Sequence, residues 1–161
     1  MKTIQQISGI LLLSGFLFLG LGACNKTVRD DLYPAIDMSA ADAFPKDCDT
    51  LRIGESFIFR SIFTDNAVLG SYSLDIHNNF DHHSHSSSIA ECPMDPVKVP
   101  DNPLVFIREY LIPQGLSRFE AIDTITIPPG VDPGDYHVMI RLTDREGWQT
   151  IKGISVKLAV D

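Results

Sequence analysis

Histidine is the residue type in this sequence with the clearest potential for chemistry, because its distribution is uneven. Four of the five histidines lie within nine positions, in the segment DIHNNFDHHSH, and the fifth stands apart. They are His77, His82, His83, His85 and His137. Imidazole nitrogens are good ligands for Zn, Cu and Ni, and histidine-rich tracts are typical of metal binding. The pattern therefore predicts a transition-metal site, with Zn as the first candidate and Cu or Ni as alternatives.

The rest of the chain predicts the strands that must position these side chains. Apolar and polar residues alternate in short runs bounded by Gly, Pro, Asn and Asp, as in half-buried strands, and no convincing amphipathic helix is found. The predicted strands are 35–38, 55–63, 70–78, 104–111, 118–127, 136–143 and 149–160. Seven strands of this kind predict an all-β fold, an antiparallel β-sandwich.

One motif makes the expectation about the fold more specific. The sequence DPGDY at 132–136 resembles the tyrosine corner of immunoglobulin-like domains, in which the Tyr hydroxyl bonds to the backbone upstream. The following RLTDREGW resembles the last strands and turn of such modules. Val138 stands where antibody domains have a disulfide Cys. The resemblance therefore implies an immunoglobulin-like sandwich without the core disulfide.

In a sandwich of that kind, the strands at 70–78 and 136–143 are antiparallel neighbours. The end of the first strand then lies beside the beginning of the second, which places His77 next to His137. Alternation puts both side chains on the face opposite the apolar one, so we expect them, with Met139, to face solvent. Opposed residues have Cβ atoms about 4.5 to 5.5 Å apart, which is within reach of a shared metal.

The remaining ligands are expected from a long loop at about 79–103. His82, His83 and His85 are the candidates; two of them would complete a four-coordinate site, and one would leave a position for water. Asp81 is either an oxygen ligand or a hydrogen-bond acceptor for an imidazole. A transition metal is favoured over calcium, because the segments 95–103 and 144–146 lack the regular acidic spacing of an EF-hand loop, although immunoglobulin-like domains can bind calcium at their ends. The alternative is a solvated loop without a metal.

The beginning of the chain carries an export pattern. Residues 1–23 combine an early Lys with a short apolar run, and Leu21-Gly22-Ala23-Cys24 resembles the lipobox of bacterial lipoproteins. The resemblance implies a signal peptide, a lipidated Cys24, a tether over 24–31 and a domain over 32–161. The protein would be held on a membrane of the cell envelope, facing the periplasm or the exterior.

The two other cysteines, Cys48 and Cys92, are expected to form a disulfide, because exported proteins face an oxidising compartment. The alternative is a pair of free thiols that ligate metal.

Composition limits the remaining function classes. The chain has 161 residues, 44% hydrophobic, which suits one domain with its own core. A formal net charge of -8 argues against a nucleic-acid partner, since phosphate contacts need clustered Lys and Arg. No motif for a catalytic nucleophile, a phosphate loop or a zinc protease is present, so we do not expect an enzyme.

Two segments, DIHNNFDHHSH and DPGDYHVMIRLTDREGWQ, together resemble an uncharacterised family of bacterial immunoglobulin-like lipoproteins, known only as a domain of unknown function. The resemblance covers about residues 33–160 and implies no established activity. The expected function is metal capture, buffering or delivery to an envelope protein or transporter. The alternatives are a cell-surface module that binds a glycan or protein partner, and a passive component of a larger envelope assembly.

Overall fold

The computed structural model describes residues 30–84 and 92–160, and in these ranges all regular structure is β-strand. Eight strands follow one another along the chain: β1 (Ala35–Asp37), β2 (Asp49–Arg52), β3 (Ser56–Thr64), β4 (Leu69–Asn78), β5 (Phe106–Leu111), β6 (Arg118–Thr126), β7 (Gly134–Asp144) and β8 (Gln149–Ala159). The seven predicted strands are confirmed, with bounds that differ by at most two residues. β2 was missed because only one of its four residues, Leu51, is buried, which leaves no alternation to detect.

The strands form two sheets of a β-sandwich. One sheet has the order β1-β3-β6, and the other has the order β2-β8-β7-β4-β5. Every pair of neighbours is antiparallel except β2 and β8, which are parallel, so the larger sheet is mixed rather than wholly antiparallel as predicted. The all-β sandwich is confirmed, while the immunoglobulin-like assignment stays a prediction.

The core lies between the sheets and uses the faces that alternation predicted. Phe59 and Phe63 on β3 are fully buried, and Leu74 on β4 and Ile140 on β7 meet them from the other sheet. Burial of each such side chain stabilises the fold by about 1.5 to 3 kcal/mol. The core therefore fixes which faces of β4 and β7 remain on the outside, and these outer faces carry the histidines.

Tyr136 ties the start of β7 to the loop that precedes β5. Its hydroxyl donates to the carbonyl oxygen of Asp132 at 2.8 Å and accepts a hydrogen bond from the amide of Leu104 at 3.1 Å. This is the backbone contact that the tyrosine-corner motif predicted.

The predicted signal peptide at 1–23, the lipidation site Cys24 and the ligand candidate His85 lie outside the described residues. Within the described ranges, no helix has the length and apolarity required to cross a bilayer.

Candidate metal centre

The register of β4 and β7 places two histidines side by side. His77 is directly opposite His137 in the antiparallel ladder, as predicted, and their ring centroids are 5.8 Å apart. Both side chains lie on the outer face because Ile76 and Val138, their paired neighbours, point into the core. The two strands thus supply a pair of imidazoles whose backbone positions are fixed by the sheet.

A third imidazole comes from the loop that follows β4. The ring of His83 lies over this pair, with its centroid 5.5 Å from that of His77 and 5.3 Å from that of His137. A potential ligand nitrogen of each ring lies within 4.8 Å of those of the other two. Nitrogens on one tetrahedral zinc ion are about 3.4 Å apart, given Zn–N distances of about 2.0 to 2.1 Å. Small side-chain rotations would therefore bring the three rings onto one metal. We call His77, His83 and His137 the histidine centre.

Two carboxylates orient two of these rings. Asp75 Oδ1 lies 2.9 Å from Nδ1 of His77, and Asp81 Oδ1 lies 2.6 Å from Nδ1 of His83. An imidazole that donates from Nδ1 to a carboxylate carries its lone pair on Nε2, which is the arrangement common behind metal-bound histidines. Of the two roles open to Asp81, the geometry matches that of hydrogen-bond acceptor. The same hydrogen bond to His83 lowers the pKa of Asp81.

Asp75 was not among the site residues predicted from the sequence. It precedes His77 by two positions, so strand alternation places both on one face of β4. Asp81 precedes His83 by the same spacing. The repeated D-x-H pattern was therefore the available signal.

The structure separates His82 from the centre. Nε2 of His82 lies 2.9 Å from the carbonyl oxygen of Asp95, and His82 itself has a positive φ of 58°. Its ring therefore binds the returning part of the loop and does not join the cluster.

His137 is more buried than predicted. Only 2% of its surface is exposed, and Met139, two residues further along the same face, is 4% exposed. The prediction that His137 and Met139 face solvent is wrong. Strand alternation identifies the face of a sheet on which a side chain lies, but not what covers that face.

Part of the loop returns to this end of the sheet and is fastened there. Cys92 forms a disulfide with Cys48, as predicted, so the alternative of free thiols as ligands is wrong. The amide of Cys48 donates to the carbonyl oxygen of Ser155, the residue opposite His137 on β8. Further along, the amide of Asp95 donates to Asp135 Oδ2 at 2.7 Å. The disulfide and these hydrogen bonds hold the loop against the strands that carry the centre.

Comparison with known proteins adds a family but no activity. A family model described as a domain of unknown function (DUF4625) matches residues 22–159. A comparison with curated proteins gave no match.

Proposed function

The chain belongs to the family described as a domain of unknown function (DUF4625), and we propose that it binds a divalent transition metal, Zn first and Cu or Ni next, at the histidine centre. In this proposal the protein is lipid-anchored through Cys24 in the cell envelope. There it captures or buffers the metal, or delivers it to an envelope protein or transporter. No step of catalysis is included.

The convergence of three imidazoles from two strands and a loop carries the proposal. Two of the rings are positioned by a continuous ladder, and the third is positioned by the hydrogen bond between His83 and Asp81. Sites built on rigid elements hold ligands more closely to a required geometry than sites built on loops alone. Because folding of the sheet already orders two of the three rings, little further conformational entropy is lost when a metal binds.

The donor set determines which metals suit the centre. Three neutral imidazoles fit Zn(II), Cu(II) or Ni(II), whereas Ca²⁺ and Mg²⁺ prefer oxygen ligands. Three protein ligands leave one tetrahedral position for a water molecule or a ligand from another molecule. A site of that kind can release its metal by ligand exchange, which suits delivery as well as storage.

Calorimetric titration of the metal-stripped full chain, in mild detergent, tests this function. We expect one Zn²⁺ per chain with submicromolar affinity. His77→Ala should weaken binding by more than the roughly 10- to 100-fold caused by loss of an outer-shell partner. His82→Ala is the matched control, because His82 lies close to His77 in the sequence but its ring bonds to a carbonyl oxygen outside the cluster. Absence of binding, or equal loss in both variants, would contradict the proposal.

His137→Ala provides a second test, with a fold control because His137 is buried. Its metal affinity should fall at least as far as that of His77→Ala, while its circular dichroism spectrum stays native. If binding survives this substitution, the pair on β4 and β7 is not the site.

A second candidate function is an interaction module for a protein or glycan partner. β5 is an edge strand of the larger sheet, and its Ile107 and Leu111 are 71% and 83% exposed. Edge strands with exposed apolar side chains are common pairing surfaces. In that case Ile107→Asp should abolish cross-linking to a partner in envelope extracts, while zinc binding stays unchanged. Retained cross-linking would argue against this surface.

A further inference from the structure

A second cluster of potential metal ligands lies at the other end of β7. Asp30, which precedes β1, Asp65, which follows β3, and Asp144, which ends β7, each place one carboxylate oxygen within 4.8 Å of the other two. We call these residues the aspartate triad. Asp144 lies seven residues beyond His137 on β7, a separation of roughly 23 Å in an extended strand. The triad is therefore distinct from the histidine centre.

Asp144 supplies the observation that points to a ligand. The residue is 5% exposed, and its Oδ1 accepts hydrogen bonds from the amides of Gly147 and Trp148 at 2.7 and 2.8 Å. Its Oδ2 is buried and accepts no hydrogen bond from any residue in 30–84 or 92–160. Buried charged oxygens in native structures are normally satisfied by a donor, a water molecule or an ion.

Asp30 likewise has one carboxylate oxygen that is hydrogen-bonded and one that is not. Oδ1 accepts a hydrogen bond from the amide of Leu32 at 3.2 Å, whereas Oδ2 is buried without a donor among the described residues. In both residues, one oxygen caps the local backbone and the other is withdrawn from water. Each of these two residues, from separate chain segments, thus keeps one buried oxygen that is available to a ligand.

The local charge agrees with a cation at this place. The ion pairs found in the described part of the chain involve other acids, and none of them joins a Lys or Arg to the triad. Three ionised carboxylates this close repel one another, and a cation bound between them would relieve that repulsion.

We propose that the aspartate triad is a calcium site that fastens the segment before β1 to the end of the sandwich. All three potential ligands are carboxylate oxygens. They suit a hard cation better than they suit the Zn, Cu or Ni proposed for the histidine centre. Ca²⁺ tolerates irregular geometry, whereas Mg²⁺ requires a near-ideal octahedron. The ion would join residue 30 to the residue after β3 and to the last residue of β7, both far from it in the sequence.

The only tryptophan of the chain is a reporter for this site. Trp148 donates from its indole nitrogen to the carbonyl oxygen of Asp30 at 3.4 Å, and its amide binds Asp144. Terbium, which takes oxygen ligands as calcium does, should therefore emit when Trp148 is excited. We expect this emission from the chelator-treated full chain in detergent, and its displacement by Ca²⁺ at about 0.1 to 1 mM, the range of extracellular calcium modules.

Asp65→Asn is the principal variant, and Asp31→Asn is its matched control, because Asp31 is exposed and adjacent to the site but outside the triad. Terbium emission should be lost in the first and retained in the second. Calcium should raise the midpoint of thermal unfolding of the native chain and not that of Asp65→Asn. In chelator, Asp65→Asn should unfold no lower than the native chain, because it removes a repelling charge.

Two results would overturn the calcium site. One is the absence of terbium emission and of any calcium effect up to about 10 mM, tenfold above the expected range. The other is an equal loss in Asp65→Asn and Asp31→Asn, which would indicate diffuse attraction to an acidic surface. If Asp65→Asn does not fold, Asp30→Asn gives the same comparison from outside the strands. His77→Ala should leave calcium binding unchanged, which keeps this test separate from that of the zinc site.

Discussion

Each of two imidazoles in the histidine centre has a carboxylate two positions before it in the chain. In Asp75–His77 the spacing works through strand alternation, and in Asp81–His83 it works through a turn of the loop. Both pairs fix the ring orientation and add negative charge behind the nitrogen that faces the cluster. An aspartate two positions before a histidine therefore orients the imidazole in both cases, once in a strand and once in a loop.

The contribution of this support can be measured at Asp75. Asp75→Asn keeps the size of the side chain but removes the charge that favours Nδ1–H on His77. We expect Zn²⁺ affinity to fall by about 10- to 100-fold, as for other outer-shell partners. Asp101→Asn, which removes the same charge from an exposed position in the loop before β5, is the control. Equal calorimetric affinities for the two variants would show that the Asp75 carboxylate does not support the ligand.

At the scale of elements, β7 contributes residues to the core and to both proposed metal sites. It lies between β4 and β8, directs Tyr136 into the core and His137 outward, and ends at Asp144. Because successive side chains of a strand point to opposite faces, a shift of the register of β7 by one residue would place His137 in the core and Tyr136 on the outer face. The hydroxyl of Tyr136 anchors the beginning of the strand, so it helps to keep this register.

Tyr136→Phe tests that anchor. The substitution leaves the amide of Leu104 without its acceptor, and we expect the free energy of unfolding in urea to fall by about 1 to 3 kcal/mol at neutral pH. Burial raises the pKa of Tyr136 above its ordinary value of 10.0, so the folded state holds this proton more tightly. The stability of the native chain should therefore decline as pH rises above about 10, where the unfolded tyrosine ionises first. The variant should decline less steeply; the same slope in both would contradict the role of this hydroxyl.

The strands and loops of the histidine centre differ in how well the sequence predicts them. Alternation over 70–78 and 136–143 placed His77 and His137 on the same face, and the strand pairing implied by the immunoglobulin-like resemblance placed them side by side. It could not distinguish His83 from His82, since adjacent loop residues diverge through a positive φ that no local pattern required. The aspartate triad escaped prediction because its members are distant in sequence and meet only when the loops at one end of the sandwich assemble.

At the scale of the whole molecule, the two proposed sites lie at opposite ends of β7, and the predicted anchor precedes the aspartate triad closely in the sequence. Asp30 follows Cys24 by six residues, a stretch that spans at most roughly 20 Å when extended. The calcium site would then lie near the membrane and fix the direction in which the sandwich leaves it. The histidine centre would lie at the far end, where a metal can be exchanged with another envelope protein.

This orientation depends on the anchor, and Cys24→Ser tests it directly. Diacylation of one Cys gives stable membrane association, whereas a single acyl chain gives only marginal binding. We expect the native chain to incorporate radiolabelled palmitate and to sediment with membranes, and Cys24→Ser to lose the label and remain in the supernatant. Cys92→Ser is the control, because it removes the disulfide with Cys48 but not the proposed anchor. If Cys24→Ser still sediments with membranes, the attachment lies elsewhere in the chain, and the proposed orientation of the two sites is wrong.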